Sequence, residues 1–215
     1  MPGPISHLVT IPDDAGLLGR DSTTLSSREQ VLVAALESFV QRGYHGTTIR
    51  QVAARAGVSV PGLYHHFPSK LALVETLLEG TMDDLIAGTE AALAEAGPDP
   101  VDRFSAVVVA HVRFHTDRPE ESFVGNTELR SLSPASLRRV VAKRDRQEEI
   151  FTAVVAEGVA AGAFHVDAVR EASRAVVTMC TAVANWYHRD GALDADQIVE
   201  IYRRLALNLV GVAPR

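Results

Sequence analysis

Thr47–Lys70 reads TTIRQVAARAGVSVPGLYHHFPSK, and this stretch decides the fold of the first third of the chain. Thr48 is an N-cap residue for the run behind it, in which Ile49, Val52, Ala53 and Ala56 recur at i, i+3, i+4 and i+7, the period of a short amphipathic helix. The small Ala53 lets another helix cross closely. Gly57 permits the positive φ of a tight turn, Val58 fills the angle between the helices, and Ser59 caps the next one. Pro61 is tolerated because its missing N–H lies in a first helical turn, where no intrahelical acceptor exists. Helices are therefore predicted over 49–56 and 60–66, joined as a helix-turn-helix.

The second of these has the make-up of a major-groove reader. Leu63 and Phe67, four apart, face inward, while Val60, Pro61, Gly62, Tyr64, His65 and His66 are left to face outward or sideways. Small residues at 60–62 allow close approach to DNA. Tyr64 and His65 bring hydrogen-bonding tips and apolar area for a thymine methyl. Lys70 and the free N–H groups behind Ser69 form an expected phosphate contact, and Thr47 and Thr48 another on the opposite side.

Working outward, Ser26 and Glu29 have capping-box spacing, and Val31, Leu32, Ala35, Leu36, Phe39 and Val40 form an apolar stripe that stops before Gly43. A fourth helix is predicted over 70–87. Gly97, Pro98 and Pro100 mark a boundary or hinge, and further helices fit 101–116, 122–131, 134–161, 168–189 and 195–210. Ser133, Asp167 and Asp194 are their expected caps, and Gly162, Gly191 and Gly211 their expected ends. The fold class is all-α, about nine helices: a three-helix head over 26–70 and a larger helical body over 71–215. Residues 1–25 have no sustained period and read as a flexible arm.

The composition of the 215-residue chain, 47% hydrophobic with a formal net charge of −6, describes a globular protein, and the acidity alone speaks against nucleic acid as partner. Divided by position, it becomes +3 over 26–70 and −9 elsewhere, so a basic head is joined to an acidic body. The single cysteine, Cys180, excludes an intramolecular disulfide and argues for a reducing compartment. With no spanning apolar run and no basic region leading into an apolar one at the N-terminus, the expected location is cytoplasmic and no membrane contact is expected.

The capped first helix, the A-x3-G-V-S core of Ala53–Ser59 and the segment LYHHFPSK of Leu63–Lys70 strongly resemble the TetR family of bacterial transcriptional regulators. The resemblance is specific over about 27–75. It implies a homodimer with a DNA-binding head and a ligand-binding body, repressing from a palindromic operator until a small molecule releases it. By motif position it implies DNA contacts at Thr48, Ser59, Val60, Pro61, Gly62, Tyr64, His65 and Lys70. Where many relatives carry Lys, Ser or Thr, this chain has Val60-Pro61-Gly62, which shifts readout toward Tyr64, His65, Arg50 and DNA shape.

In the body, the last two helices are expected to form the homodimer interface, as halves of a four-helix bundle. The helix over 168–189 is apolar on two faces, Val169, Val176, Cys180, Val183 and Tyr187 on one and Ala172, Ala175, Met179, Ala182 and Trp186 on the other. The final helix offers Ile198, Ile201, Tyr202, Leu205, Leu209 and Val212. Expected ligand-binding residues are Phe104, Val108, His111, His115, Phe123 and Asn126, with Leu129, Phe151, Met179, Val183 and Trp186, a mainly apolar set with few polar members. Gly162-Ala163-Phe164 and the region behind it resemble the TetR subgroup governing lipid, steroid or fatty-acid catabolism, which implies a fatty acid, steroid or acyl-CoA effector. Arg138, Arg139, Lys143, Arg144 and Arg146 form a basic run that would suit a CoA phosphate if it were not simply a solvated face.

His111 and His115 have a metal-ligand spacing but lack the internal Glu of a zinc protease helix and any third ligand, so no metal and no cofactor are expected. Cys180, in an apolar stripe, reads as an inert thiol. Two alternatives stand beside the repressor: a helical enzyme acting on a hydrophobic substrate, with His111, Asn126 and Glu128 as its polar groups, and a DNA-binding protein without an effector. No nucleophile elbow, phosphate loop or dinucleotide fingerprint supports the enzyme.

Overall fold

The computed structural model describes Leu17 and residues 25–212. The expected arm over 1–25 lies, Leu17 and Leu25 apart, outside the described residues. Among the described residues there are nine α-helices and no strand: α1 (Ser27–Gly46), α2 (Ile49–Arg55), α3 (Val60–His66), α4 (Lys70–Glu95), α5 (Pro100–Asp117), α6 (Pro119–Thr127), α7 (Pro134–Ala160), α8 (Val169–Thr181) and α9 (Ala195–Leu209). Short 3-10 turns follow α6 (Leu129–Ser131) and α8 (Ala182–Asn185).

The chain divides into two compact units, one comprising the described residues of 14–84 together with 118–143, the other 85–117 together with 144–212. The long helices α4 and α7 each contribute one part to either unit. In the first unit, α1 buries Val31, Leu32, Ala35, Leu36 and Phe39 of the predicted stripe, whose last member, Val40, is half-buried. Gly43, at φ 68°, interrupts the helix where that stripe ends. The capping boxes of Ser26 with Glu29 and of Thr48 with Gln51 start α1 and α2.

In the second unit α5 is buried over most of its circumference, with Phe104, Val107, Val108, His111, Val112 and His115 all inside. Around it lie Ile150, Phe151, Val154 and Val155 of α7, Val176 and Cys180 of α8, and Ile198, Val199 and Ala206 of α9. Burial pushes the Cys180 thiol up to about 12, so the inert reading of this residue has a physical basis.

Several local expectations are corrected. α4 runs to Glu95, eight residues past the predicted end, and the Gly97–Pro100 turn joins α4 to α5 within one unit, where Asp99 Oδ1 accepts the N–H groups of Val101 and Asp102 at 2.8 and 3.2 Å. α8 stops at Thr181 because its last turn tightens, and the Tyr187 N–H bonds back to Val183 O at 2.9 Å, which leaves both side chains buried. Asp167 does not cap α8, whose N-cap is Ala168. Gly191 lies in a loop after the 3-10 turn and not at a helix end, whereas Gly162 and Gly211 have the expected positive φ. Ser133 and Asp194 cap α7 and α9 as predicted.

Candidate functional site

The reading face of the head is built by the turn between α2 and α3. Val58 N–H bonds to Ala53 O at 3.0 Å and closes the turn, while Gly57 holds φ 69° at a position where a Cβ would meet no atom within 4 Å. Its requirement for glycine is therefore conformational, not steric. Val52, Ala53, Leu63 and Phe67 are buried beneath, and this leaves Pro61, Tyr64 and His65 of α3 exposed with Val60 and Gly62 half-buried. Tyr64 is 49% exposed, the largest value among the exposed large hydrophobic side chains of the described residues. The Ser59 hydroxyl accepts the Gly62 N–H at 3.1 Å, and a Cβ on Gly62 would meet that oxygen at 3.2 Å. Thr48 and Arg50 are exposed at the start of α2.

Two of the expected DNA contacts, Thr47 and Lys70, make hydrogen bonds within the head. Thr47 is buried, and its hydroxyl donates to Ser38 O at 3.0 Å and Gly43 O at 2.9 Å. The Lys70 ammonium donates to Tyr44 O at 2.7 Å and Thr47 O at 2.8 Å, and lies 4.2 Å from the Tyr44 ring centroid. Desolvation lowers its pKa, and the Glu128 carboxylate acts in the opposite direction. A flexible four-carbon stem at the start of α4 thus reaches back to the carbonyls that end α1. Arg55 is also engaged, with Glu37 Oε2 at 2.9 Å and Gln41 Oε1 at 2.7 Å.

Of the expected ligand residues, Phe104, Val108, His111, His115, Phe151 and Val183 are buried in the second unit, with Met179 packed against the same cluster. Trp186 of that unit is 45% exposed and stacks on Tyr202, with centroids 6.1 Å apart. Phe123, Asn126 and Leu129 belong to the other unit, where Phe123 is exposed.

The polar centre of the second unit contains residues that periodicity did not single out. His111 Nε2 stands 3.0 Å from Thr181 Oγ1, its Nδ1 lies 3.1 Å from Gln147 Nε2, and the same amide nitrogen reaches Thr89 Oγ1 at 2.9 Å. His115 stacks on His111 with centroids 4.6 Å apart and bonds through Nδ1 to His111 O at 2.8 Å. Burial drives both imidazoles toward the neutral form, His111 well below its ordinary value and His115 to about 4. The signal for Gln147 was its position: it falls in register with Val140, Phe151 and Val154, where an apolar residue is due.

The basic run on α7 is largely committed to acids. In the first unit Arg139 pairs with Glu79 at 2.7 Å and Lys143 with Asp83, and in the second Arg146 pairs with Glu90 at 2.8 Å. The Arg139 hydrogen bond is the main cause holding the Glu79 carboxyl below its usual value. A CoA phosphate held by Arg139, Lys143 or Arg146 would compete with the carboxylate already paired with that residue.

Among the described residues no helix is long and apolar enough to cross a membrane, and no group of three His, Cys, Asp or Glu side chains is arranged to hold a metal ion. Family models match the chain twice. Residues 31–77 fit the bacterial regulatory proteins of the tetR family, and residues 97–210 fit the tetracyclin repressor-like C-terminal domain. The chain belongs to the TetR family. This TetR-family chain is 29% identical over 193 residues to the HTH-type transcriptional repressor KstR2 of Mycolicibacterium smegmatis, covering 89% of the chain and 93% of that protein. A solved TetR-family regulator from Rhodococcus RHA1 is 30% identical and superposes with a TM-score of 0.82 over 89% of the chain and all of its own length. The ketosteroid transcriptional regulator KstR2 of Mycobacterium tuberculosis superposes with a TM-score of 0.79 at 26% identity, over 88% of the chain and 96% of its own. The TetR-family fold and the role of transcriptional regulator are thereby established.

Proposed function

We propose that this TetR-family regulator is a cytoplasmic repressor that binds a palindromic operator as a homodimer and is released by a small hydrophobic effector of the steroid or fatty-acid class. The observation that carries the reading is the outward array of α3. Tyr64 and His65 are exposed on a helix whose opposite side is locked by Leu63 and Phe67, so rigid backbone presents polar tips to a groove. Thr48, Arg50, Ser59, Val60, Pro61 and Gly62 complete the proposed DNA-contacting set. Thr47 and Lys70 orient it. The functional division falls at 70/71, with the body beginning at α4.

Dimerisation through α8 and α9 is supported by what each chain leaves uncovered. The Val176, Cys180, Val183 and Tyr187 face of the α8 segment is buried, while Ala175 and Trp186 of the other face are exposed, together with Leu205 and Leu209 of α9. A second copy supplies the missing cover, and the two α3 helices then enter successive major grooves about 34 Å apart. The effector class is supported by the apolar cluster around Phe104, Val108, Phe151 and Val183 and by the similarity to KstR2, described as a ketosteroid regulator. An acyl-CoA effector is less well supported, because three of the five cations expected to hold its phosphates, Arg139, Lys143 and Arg146, are paired with α4.

DNase footprinting upstream of the gene and of its neighbours tests the reading. Two symmetric protected half-sites are expected, with protection of both lost together in Tyr64→Ala. Asymmetric protection, or full affinity for Tyr64→Ala combined with Arg50→Ala, overturns it. The effector must weaken DNA binding by the factor by which DNA weakens effector binding.

A further inference from the structure

Gln147 is 2% exposed, and the proton inventory around it leaves one atom over. Its Nε2 carries two protons. One goes to Thr89 Oγ1, whose own hydroxyl donates to Leu85 O at 2.8 Å and so can only accept from the amide. The other goes to His111 Nδ1. With Nδ1 accepting, His111 carries its proton on Nε2 and donates it to Thr181 Oγ1 at 3.0 Å. Every group in this hydrogen-bonded series is matched except Gln147 Oε1, which is buried and has no hydrogen-bond partner. The commitment of Thr89 fixes the orientation of the amide, so the unmatched oxygen calls for a donor. Native interiors rarely leave such an acceptor unpaired, because its lost hydration is then uncompensated.

We infer that Gln147 Oε1 is the anchoring point of the effector, and that the effector is an uncharged apolar molecule presenting a hydroxyl to it. The inference rests on the reading of the body as an effector-binding domain. The surroundings select the class. Phe151 meets the His111 ring edge-to-face at 5.4 Å and belongs, with Phe104, Val108 and Val183, to the buried apolar core of this unit. A carboxylate or phosphate brought to Oε1 would meet an acceptor with no proton to share. An ammonium would lose its hydration without a counter-charge among neutral imidazoles. A hydroxyl on a hydrocarbon frame satisfies the oxygen and sets its apolar part among apolar side chains. The closed core covers this atom, so the guest enters by parting side chains, and the donor it brings repairs an existing deficit.

Matched pairs that differ only in the donor test this: 1-dodecanol against its methyl ether, and a 3-hydroxysteroid against its 3-methyl ether, titrated calorimetrically into the full chain. The alcohol of at least one pair is expected to bind about tenfold tighter than its ether, the worth of one buried hydrogen bond. Gln147→Leu, or Gln147→Asn if the leucine variant does not fold, is expected to bring the two members of that pair to equal affinity. Equal binding of alcohol and ether by the unaltered protein overturns the inference and leaves the effector role of the body intact, as does a preference that survives both substitutions. Failure of all four compounds to bind overturns the inference and the hydrophobic-effector reading together.

Discussion

Tyr44 donates its backbone N–H to Glu128 Oε1 at 3.1 Å, a bond between residues 84 apart in sequence. The other carboxylate oxygen accepts from Ser131 Oγ at 2.8 Å. Glu128 thus pins the backbone just after the Gly43 break, the point whose carbonyl Lys70 also holds. Glu128→Ala leaves the half-buried Tyr44 N–H without its acceptor and is expected to lower stability by about 1–3 kcal/mol in urea unfolding. Glu128→Gln keeps an acceptor and should cost less. Equal effects of the two would mean that the charge near Lys70, not the hydrogen bond, is what matters.

Gly158 has no space for a side chain. A Cβ there would lie 2.1 Å from the Phe164 ring, which is buried and packs edge-to-face on Phe104 with centroids 5.4 Å apart. The Gly158 carbonyl also accepts the N–H groups of Ala163 and Phe164 at 2.9 and 3.2 Å, so the ring cannot swing clear without breaking the end of α7. Gly158→Ala is expected to destabilise by about 1–3 kcal/mol. In a double-mutant cycle with Phe164→Ala most of that cost should vanish, and additive effects would exclude the ring as its cause.

Acid should weaken the fold through the histidine pair. His115 has a folded pKa of about 4, against 6.5 unperturbed, and His111 is shifted in the same direction. Since the fold favours the neutral form, the stability it contributes is complete above pH 6.5 and falls as pH drops toward 4. The loss for His115 alone amounts to about 3 kcal/mol at the acid end. Urea midpoints measured from pH 8 to 4 should be flat at the alkaline end and decline below 6.5, with a shallower decline in His115→Leu. An unchanged slope in that variant would assign the acid sensitivity to other groups.

Leu205 and Leu209 are 45% and 37% exposed on α9 and occupy successive turns. Because neither is part of the buried core of its own chain, Leu205→Asp with Leu209→Asp is expected to produce a folded monomer in sedimentation experiments, with helical content retained. A persistent dimer would place the interface on another face.

The head was legible in the sequence because its determinants are local. Thr48, Gly57 and Ser59 act on backbone within four residues of themselves, and the spacing of Leu63 and Phe67 already says which side of α3 faces inward. The TetR motif lies in that same segment. The body's helices could be counted from their periodicity, but the use of their faces could not. Leu205 and Ala206 are adjacent, yet one is exposed and the other fully buried, a choice made by the packing of α9 on α5. The assignment of polar groups was likewise invisible. That the Lys70 ammonium reaches the carbonyls of Tyr44 and Thr47 follows only from the fold, as does the placing of His111 of α5 beside Gln147, which stands where the α7 stripe calls for an apolar residue. Caps, turns and apolar stripes follow from neighbours along the chain, because their hydrogen bonds and torsions close over a few residues. Which charge is occupied, which amide is left unpaired and which apolar face awaits cover depend on contacts between distant residues, and only the tertiary structure decides them.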